Sequence, residues 1–364
     1  MGSVATGGQL GAVILAAGEG TRMQSQIPKP LHDLCGRAMV LHILDALAPL
    51  DVDRVVIVVG YQAERVCAAI EAGAPAGLEL RFVHQAEQRG TGDAVRLALD
   101  AFDHFQESDD VLVIPADTPL LTTATLVALV RSHRRIDKAV TLLSATVANP
   151  TGYGRILRAS DGRIRGIVEQ ADASREEQDI REINTSIYCF RAPLLGPALR
   201  RISAGNAQGE LYLTDVVGVL FDAGYQTDSL VAEEHEVAGV NDRTQLAFAQ
   251  SVMRRRIVSA WLARGIAMQD PERTTIDAGV HLHADTQLLA GTMLHGSTVV
   301  GSRCVIGPNA VVMDAIIGDD VVIESARIER ATIHNAARVG SYSVVGPGAV
   351  IAAGEVVAPL RSLP

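Results

Sequence analysis

Two hydrophobic periods divide the chain. Up to about Asp242, short apolar runs alternate with segments of helical spacing, the pattern of an α/β domain built on a mostly parallel sheet. GAVILAAG, RVVIVVG, LRFVHQ, DVLVIPAD and AVTLLSATV are the strand candidates. PLHDLCGRAMVLHILDAL, AERVCAAIEAG, GDAVRLALDAF and TATLVALVRSHRR have the spacing of helices between them, and 244–266 reads as one long helix.

From about Thr275 the period becomes six. Ile276, Leu282, Leu288, Leu294, Val300 and Ile306 recur at six-residue intervals, and after a break the series resumes through Ile317, Ile323, Ile333, Val339, Val345, Ile351 and Val357. Gly, Asn, Asp and small residues fill the gaps. Hexapeptide repeats specify a parallel β-helix, in which each hexad makes one flat face and stacked coils bury a ladder of aliphatic side chains. The expected organisation is a disordered tail over 1–10, an α/β domain over 11–243, a linker helix over 244–268 and a short β-helix over 269–364.

Length and composition agree with two domains, since 364 residues at 48% hydrophobic content suffice for two cores. The 32 basic and 42 acidic residues leave a net charge of -10, which argues against nucleic acid or an anionic membrane as the main partner while allowing a locally bound anion. Cys35, Cys67, Cys189 and Cys304 lie far apart, without the spacing of a zinc site, redox motif or disulfide framework, so a reducing cytoplasm is expected. The first ten residues lack the form of a signal peptide, and no apolar run is long enough to span a bilayer. Only two cationic residues are lysines, Lys29 and Lys138, which gives a lysine in a candidate site extra weight.

Candidate chemistry begins at LAAGEGTRM, Leu15 to Met23. A dinucleotide fingerprint needs a third glycine where Met23 stands, and a Walker loop needs a G-K-[ST] that does not follow. What remains is a strand running into a glycine-rich turn, then Arg22 and, a few residues on, Lys29. Backbone N–H groups and two flanking cations can together neutralise a triphosphate; a tight turn with two solvated cations is the alternative, and the rarity of lysine favours phosphate. Gln85 ends a strand, and its amide can meet a base edge. Gly90, Thr91 and Gly92 follow, as either a backbone-exposing turn or a helix start capped by Thr91. Asp117, after the strand VLVIPAD, can be a hard-oxygen ligand for magnesium at the carboxyl edge of the sheet, or a helix N-cap. Gly154, Glu169 and Asn184 suit hydrogen bonds to a sugar, although each alone reads equally as turn, surface or cap.

Taken in order, LAAGEGTRM, PKPLHDLCGRAM, QAEQRGTGDA, ADTPLL, PTGYGRI, IVEQADA, EINTSIY, NAQGELYLTDV and VAGVNDR closely resemble the pyrophosphorylase domain of the bacterial GlmU family, bifunctional N-acetylglucosamine-1-phosphate uridyltransferases and glucosamine-1-phosphate N-acetyltransferases. The similarity runs from about Val13 to Arg243. It implies a Rossmann-like nucleotidyltransferase followed by a left-handed parallel β-helix, using UTP, Mg²⁺ and N-acetylglucosamine 1-phosphate. By this resemblance Leu15, Ala16, Ala17 and Gly18 bind the nucleotide, Arg22 and Lys29 act catalytically at its phosphates, and Gln85, Gly90 and Thr91 contact uracil. Asp117 and Asn241 would hold the metal, and Gly154, Glu169, Asn184 and Asn241 the sugar.

Two positions depart from the family pattern: Ala116 and Ser186 stand where glycine is usual. The family's acetyltransferase residues are not matched, because Gly346 replaces an arginine and no lysine follows Lys138. Acetyl transfer is therefore expected to be absent and acetyl-CoA not to be a ligand, with the coils serving packing and a homotrimer. His281, His283, His295 and His334 are expected to be exposed rungs rather than metal ligands. The alternatives to the uridylyl reading are a nucleotidyltransferase for another sugar 1-phosphate, or a non-catalytic regulatory subunit that binds sugar nucleotides.

Overall fold

The computed structural model describes residues 8–136 and 138–364. They form two units, one of residues up to 32 together with 38–246, the other of residues 33–37 together with 247–364. No helix among the described residues is long and apolar enough to cross a membrane.

The first unit is an α/β domain around a nine-stranded sheet. Its strands are β1 (Leu10–Ala16), β2 (Arg54–Val59), β3 (Leu80–His84), β4 (Asp110–Pro115), β5 (Val140–Thr146), β6 (Arg155–Arg158), β7 (Ile164–Val168), β8 (Glu182–Arg191) and β9 (Thr227–Val231). The main path runs β9-β5-β8-β4-β1-β2-β3, with β6 on β8 and β7 on β6. Strand β8 pairs antiparallel with β4 and β5, while β4, β1, β2 and β3 are mutually parallel neighbours.

Side chains alternate across a strand, so a strand covered on both faces supplies two cores at once. In β1, Leu10, Ala12, Ile14 and Ala16 enter one core and Val13 the other. The first core is closed by α1 (Met39–Leu47), α2 (Ala63–Gly73) and, beyond α3 (Thr91–Leu99), by α4 (Thr123–Arg135); α3 itself covers the opposite face with the helices Ala192–Leu199 and Asp215–Asp222. Because β2 and β4 flank β1 on opposite sides, a crevice opens beyond the carboxyl ends of these strands, where open α/β sheets bind ligands.

Local expectations needed three corrections. Of the expected tail, residues 1–7 lie outside the described residues, but Gly8 N–H donates to Ser108 O at 3.2 Å, Gln9 N–H to Asp109 Oδ1 at 2.8 Å, and Leu10 opens β1. Of the helix expected over 30–47, only Met39–Leu47 is α-helical, preceded by a single 3₁₀ turn at Lys29–Leu31. Cys35 adopts a left-handed backbone (φ 52°), and residues 33–37 leave the α/β domain for the second unit, where Cys35 O accepts from Ala278 N–H at 2.9 Å. Burial, with Asp277 and Asp33 nearby, pushes the Cys35 thiol up to about 12, so it is inert. Third, the linker helix is Arg243–Ala263, shorter than 244–268. Its end turns back with Ile266 N–H on Trp261 O at 3.1 Å, and Ala267–Met268 already makes the first rung.

The second unit is a left-handed parallel β-helix of three ladders with six, six and five short strands. The expected aliphatic column is its core: Ile276, Leu288, Leu294, Val300, Ile306 and Ile323 have no exposed surface. Val312, one six-residue step beyond Ile306 but absent from the series above, and Ile328, which that step misses, complete it. The break arises because the rungs step by five rather than six at Ile317, Ile328 and Ile333. Thr286, Thr292 and Thr298 are also fully buried; their hydroxyls donate to Gly301 O, Ile306 O and His295 O, so these corner polar groups are satisfied. His281, His283 and His334 are exposed as expected, whereas His295 is half-buried with Nδ1 3.2 Å from Asp277 Oδ2.

Ile306 stacks between Leu288 and Ile323. Ile306→Ala is expected to cost about 2–5 kcal/mol, because rigid neighbouring rungs cannot close the cavity. A lowered denaturant midpoint for the β-helix transition checks this; an unchanged midpoint would mean that the ladder does not set its stability.

Candidate functional site

A cleft of about 470 Å³ lies at the carboxyl ends of β1 and β4. Its lining contains every site residue expected from the sequence: Leu15, Ala16, Ala17, Gly18, Arg22, Lys29, Gln85, Gly90, Thr91, Asp117, Gly154, Glu169, Asn184 and Asn241. These positions span 227 residues of sequence, from 15 to 241, and the sheet topology brings them together.

The glycine-rich loop leaves β1 at Ala16 and turns through Gly20, whose φ is 69°. A Cβ on Gly20 would lie 2.6 Å from Lys29 Cβ, so glycine lets the lysine stem cross the loop. Lys29 Nζ pairs with Asp117 Oδ2 and donates to Asn241 Oδ1 at 2.8 Å. Arg22 donates to the same Asn241 oxygen at 2.9 Å. Asp117 is held from both sides, since its O accepts Val240 N–H at 2.8 Å while Ala116 N–H reaches Leu15 O at 2.9 Å. It is not a helix N-cap; α4 is capped by Thr122, which accepts from Thr125 N–H at 3.2 Å.

Asp117 and Asn241 thus present a carboxylate and an amide oxygen that already converge on a cation, the ammonium of Lys29. Hard oxygen donors of this kind suit a small divalent ion whose remaining ligands are phosphate oxygens and water.

Gln85 follows β3, with its N–H on Val59 O at 2.8 Å, and the residue is 5% exposed. Gly90 has φ 107°, and a Cβ there would lie 2.6 Å from Leu211 O, so this turn requires glycine. Thr91 does not cap α3: its hydroxyl accepts from Leu213 N–H at 3.0 Å and ties the turn to the LYLTD segment. Residues 91–92 thus open α3 without a Thr91 cap, and Gly92 N–H is taken up by Leu211 O at 2.8 Å.

Elsewhere in the cleft, Asn184 donates from Nδ2 to Tyr188 OH at 2.8 Å and accepts Ser186 N–H at 3.2 Å, across a shift of register in β8. Ser186 sits at φ 61°, a conformation that glycine adopts more easily and that accounts for glycine being usual at this position in the resembling family. Gly154 lies against Glu169, whose Oε2 would be 3.3 Å from a Cβ there. Burial first, then Asp215 and Asp172, raise the pKa of Glu169 above its ordinary 4.5.

A raised carboxyl contributes stability that is present below its unfolded pKa and lost as pH rises through the folded value. Glu169→Gln is accordingly expected to melt higher than the unaltered protein at pH 8 and equally at pH 4. Equal melting at both pH values would show that Glu169 carries no buried charge.

Several lining groups were not singled out from the sequence. Gln88, inside the QAEQRGTGDA motif, donates from Nε2 to Ala17 O at 3.0 Å and braces the glycine-rich loop. Outside the lining, the Tyr212 hydroxyl is buried without a hydrogen-bond partner among the described residues, close to Asp172, Glu169, Glu210 and Asp215.

Residues 12–184 match the MobA-like NTP transferase domain. The bifunctional protein GlmU of Mycolicibacterium vanbaalenii is 44% identical over 313 residues, 85% of this chain and 63% of the relative. That of Trichlorobacter lovleyi is 42% identical over 318 residues, 87% and 68%, and that of Streptomyces coelicolor 44% over 282 residues, 77% and 58%. The chain spans 63% of the length of the Mycolicibacterium relative, less than two thirds.

Proposed function

The chain belongs to the bifunctional GlmU family, and we propose that it transfers a uridylyl group from UTP to N-acetylglucosamine 1-phosphate in the cytoplasm, releasing pyrophosphate. The observation that carries this reading is the convergence of Arg22 and Lys29 with Asp117 and Asn241 at the carboxyl ends of β1 and β4. A binding module for neutral sugars would have no use for two cations and two hard oxygens in one crevice.

A sugar 1-phosphate is already an anion at neutral pH, so its oxygen can attack the α-phosphorus of UTP without a general base. The chain's tasks are to align the two phosphates in line and to offset the charge that crowds there. Lys29 and Arg22 supply mobile positive charge, and the backbone N–H groups of the glycine-rich loop supply fixed donors. Magnesium held by Asp117 and Asn241 would contribute further neutralisation of the phosphates and help pyrophosphate depart. Gln85 and the Gly90–Thr91 turn would take the base; Gly154, Glu169, Asn184 and Asn241 would take the sugar.

For the coils present here the reading includes no acetyl transfer and no acetyl-CoA. Their proposed role is association into a trimer, supported by the exposed outward side chains Ile316 and Val350 on one face of the β-helix.

The test is pyrophosphate release from UTP and N-acetylglucosamine 1-phosphate with and without Mg²⁺. Metal-dependent release is expected. No release would overturn the sugar assignment, and silence across a panel of other sugar phosphates and nucleotides would overturn the enzyme reading. Ser186, in place of glycine at the cleft wall, is the feature that favours a different sugar, and the same panel decides between them.

A further inference from the structure

The Gln85 carboxamide has lost its freedom to flip. Its Nε2 lies 3.2 Å from Gly90 O and 3.1 Å from Asp93 Oδ2. Both neighbours are acceptors, so only the NH₂ end can face them; the reversed amide would set Oε1 against two lone pairs with no proton between. Asp93 is 4% exposed and lies in the first turn of α3, and its other oxygen is held by Arg96 at 2.6 Å. Burial alone would raise the Asp93 pKa, but the hydrogen bonds from Arg96 and Gln85 reverse that and leave it below the ordinary value. The carboxylate is thus ionised at neutral pH and cannot donate. Gln85 Oε1 takes no hydrogen bond among the described residues, although the side chain lines the cleft.

We propose that Asp93 sets the cleft's choice of pyrimidine: by holding the Gln85 NH₂ inward, it leaves only a carbonyl oxygen to face the base and so selects uracil over cytosine. The proposal rests on the reading of the cleft as a uridine nucleotide site. Uracil offers a single donor on its pairing edge, N3–H, and an acceptor-only Gln85 meets it. Cytosine carries a lone pair at N3, which would oppose Oε1 directly. Asp93 is a positioning residue that acts through Gln85, and Arg96 steadies the carboxylate from the surface side.

The experiment measures dissociation constants of UTP and CTP, with Mg²⁺ present, for four proteins. The unaltered chain is expected to prefer UTP by on the order of 100-fold, since a buried acceptor strongly rejects an unmatched lone pair. In Asp93→Asn the new NH₂ can donate to Gln85 Oε1 and allow the flipped amide, so the preference should narrow roughly tenfold, the equivalent of about 1.4 kcal/mol. Arg96→Gln, at a half-exposed position that does not threaten folding, should narrow it roughly threefold, consistent with a loosened but intact carboxylate. Gln85→Leu should abolish the preference. A lesion that merely disturbed the structure would weaken both nucleotides alike and leave their ratio in place.

A ratio unchanged in Asp93→Asn and Arg96→Gln, but lost in Gln85→Leu, would overturn the role of Asp93 and keep Gln85 at the base. A ratio unchanged in Gln85→Leu as well, or no binding of either nucleotide by the unaltered chain, would overturn the uridine reading and this proposal with it.

Discussion

Asp117→Asn is expected to lower pyrophosphate release by about 100- to 1,000-fold or more, the usual result of deleting one charge from a site that stabilises developing negative charge. The substitution keeps the size of the side chain and one oxygen, but removes the formal charge that would hold a divalent ion beside the triphosphate. It also frees Lys29, whose ammonium pairs with Asp117 and lies 2.8 Å from Asn241 Oδ1. That pair is 15% and 21% exposed, so its contribution to folding is screened, and the melting temperature should move little. Loss of turnover without loss of fold is the expected signature. Turnover within threefold of the unaltered protein would remove Asp117 from the phosphate and metal centre. Lys29→Arg should be nearly as damaging as Lys29→Met, because a planar fork cannot replace a compact ammonium between Asp117 and Asn241.

Asp110→Ala is expected to be strongly destabilising for the α/β domain, at about 3–5 kcal/mol, because it removes a fully buried carboxylate on which three basic side chains converge. Asp110 opens β4 with no exposed surface. Arg134 Nε lies 2.7 Å from its Oδ2, and Arg191 Nε and His133 Nε2 lie 3.1 and 3.3 Å from its Oδ1. Burial alone would raise the Asp110 pKa, but His133 and Arg134 draw it below the ordinary 3.8. A depressed carboxyl stabilises the fold above its unfolded pKa, and that stability fades as pH falls through the lower folded value. The network should therefore be intact across neutral pH and fail only in strong acid. The variant should melt roughly 6–20 °C lower at pH 7, at about 2–4 °C per kcal/mol for a domain of this size. A melting temperature within 2 °C would show that the two arginines find other partners and that the carboxylate is dispensable.

These two carboxylates illustrate why some chemistry was legible in the chain and some was not. Asp117 could be read because it ends an apolar run at the edge where parallel sheets bind ligands, and because it sits in a motif. Asp110 begins the same strand and carries no such mark; in sequence it is only the second of two aspartates at the head of a strand candidate. Its importance comes from Arg134 and Arg191, on α4 and β8, which reach it only after the sheet forms. Asp93 is similar: it reads as an ordinary acidic residue in a first helical turn, and only the folded contact with Gln85 gives it a proposed role in specificity.

The sequence by itself determined both architectures, the domain order and part of the cleft lining. Burial on a strand or a β-helix rung is a local property, repeated every two or six positions, and it is written in the order of the side chains. It did not determine where the ladder would step by five, nor that residues 33–37 would leave a helical pattern for the second unit, since both depend on backbone turns that the hydrophobic count does not register. The tertiary structure alone decided which polar atoms meet. Lys29 joins Asp117 and Asn241 across 88 and 212 residues, and Arg22 joins Asn241 across 219. Such partnerships follow from strand order and chain crossing rather than from any neighbouring residue, and hydrogen bonds act only over the short distances that folding creates.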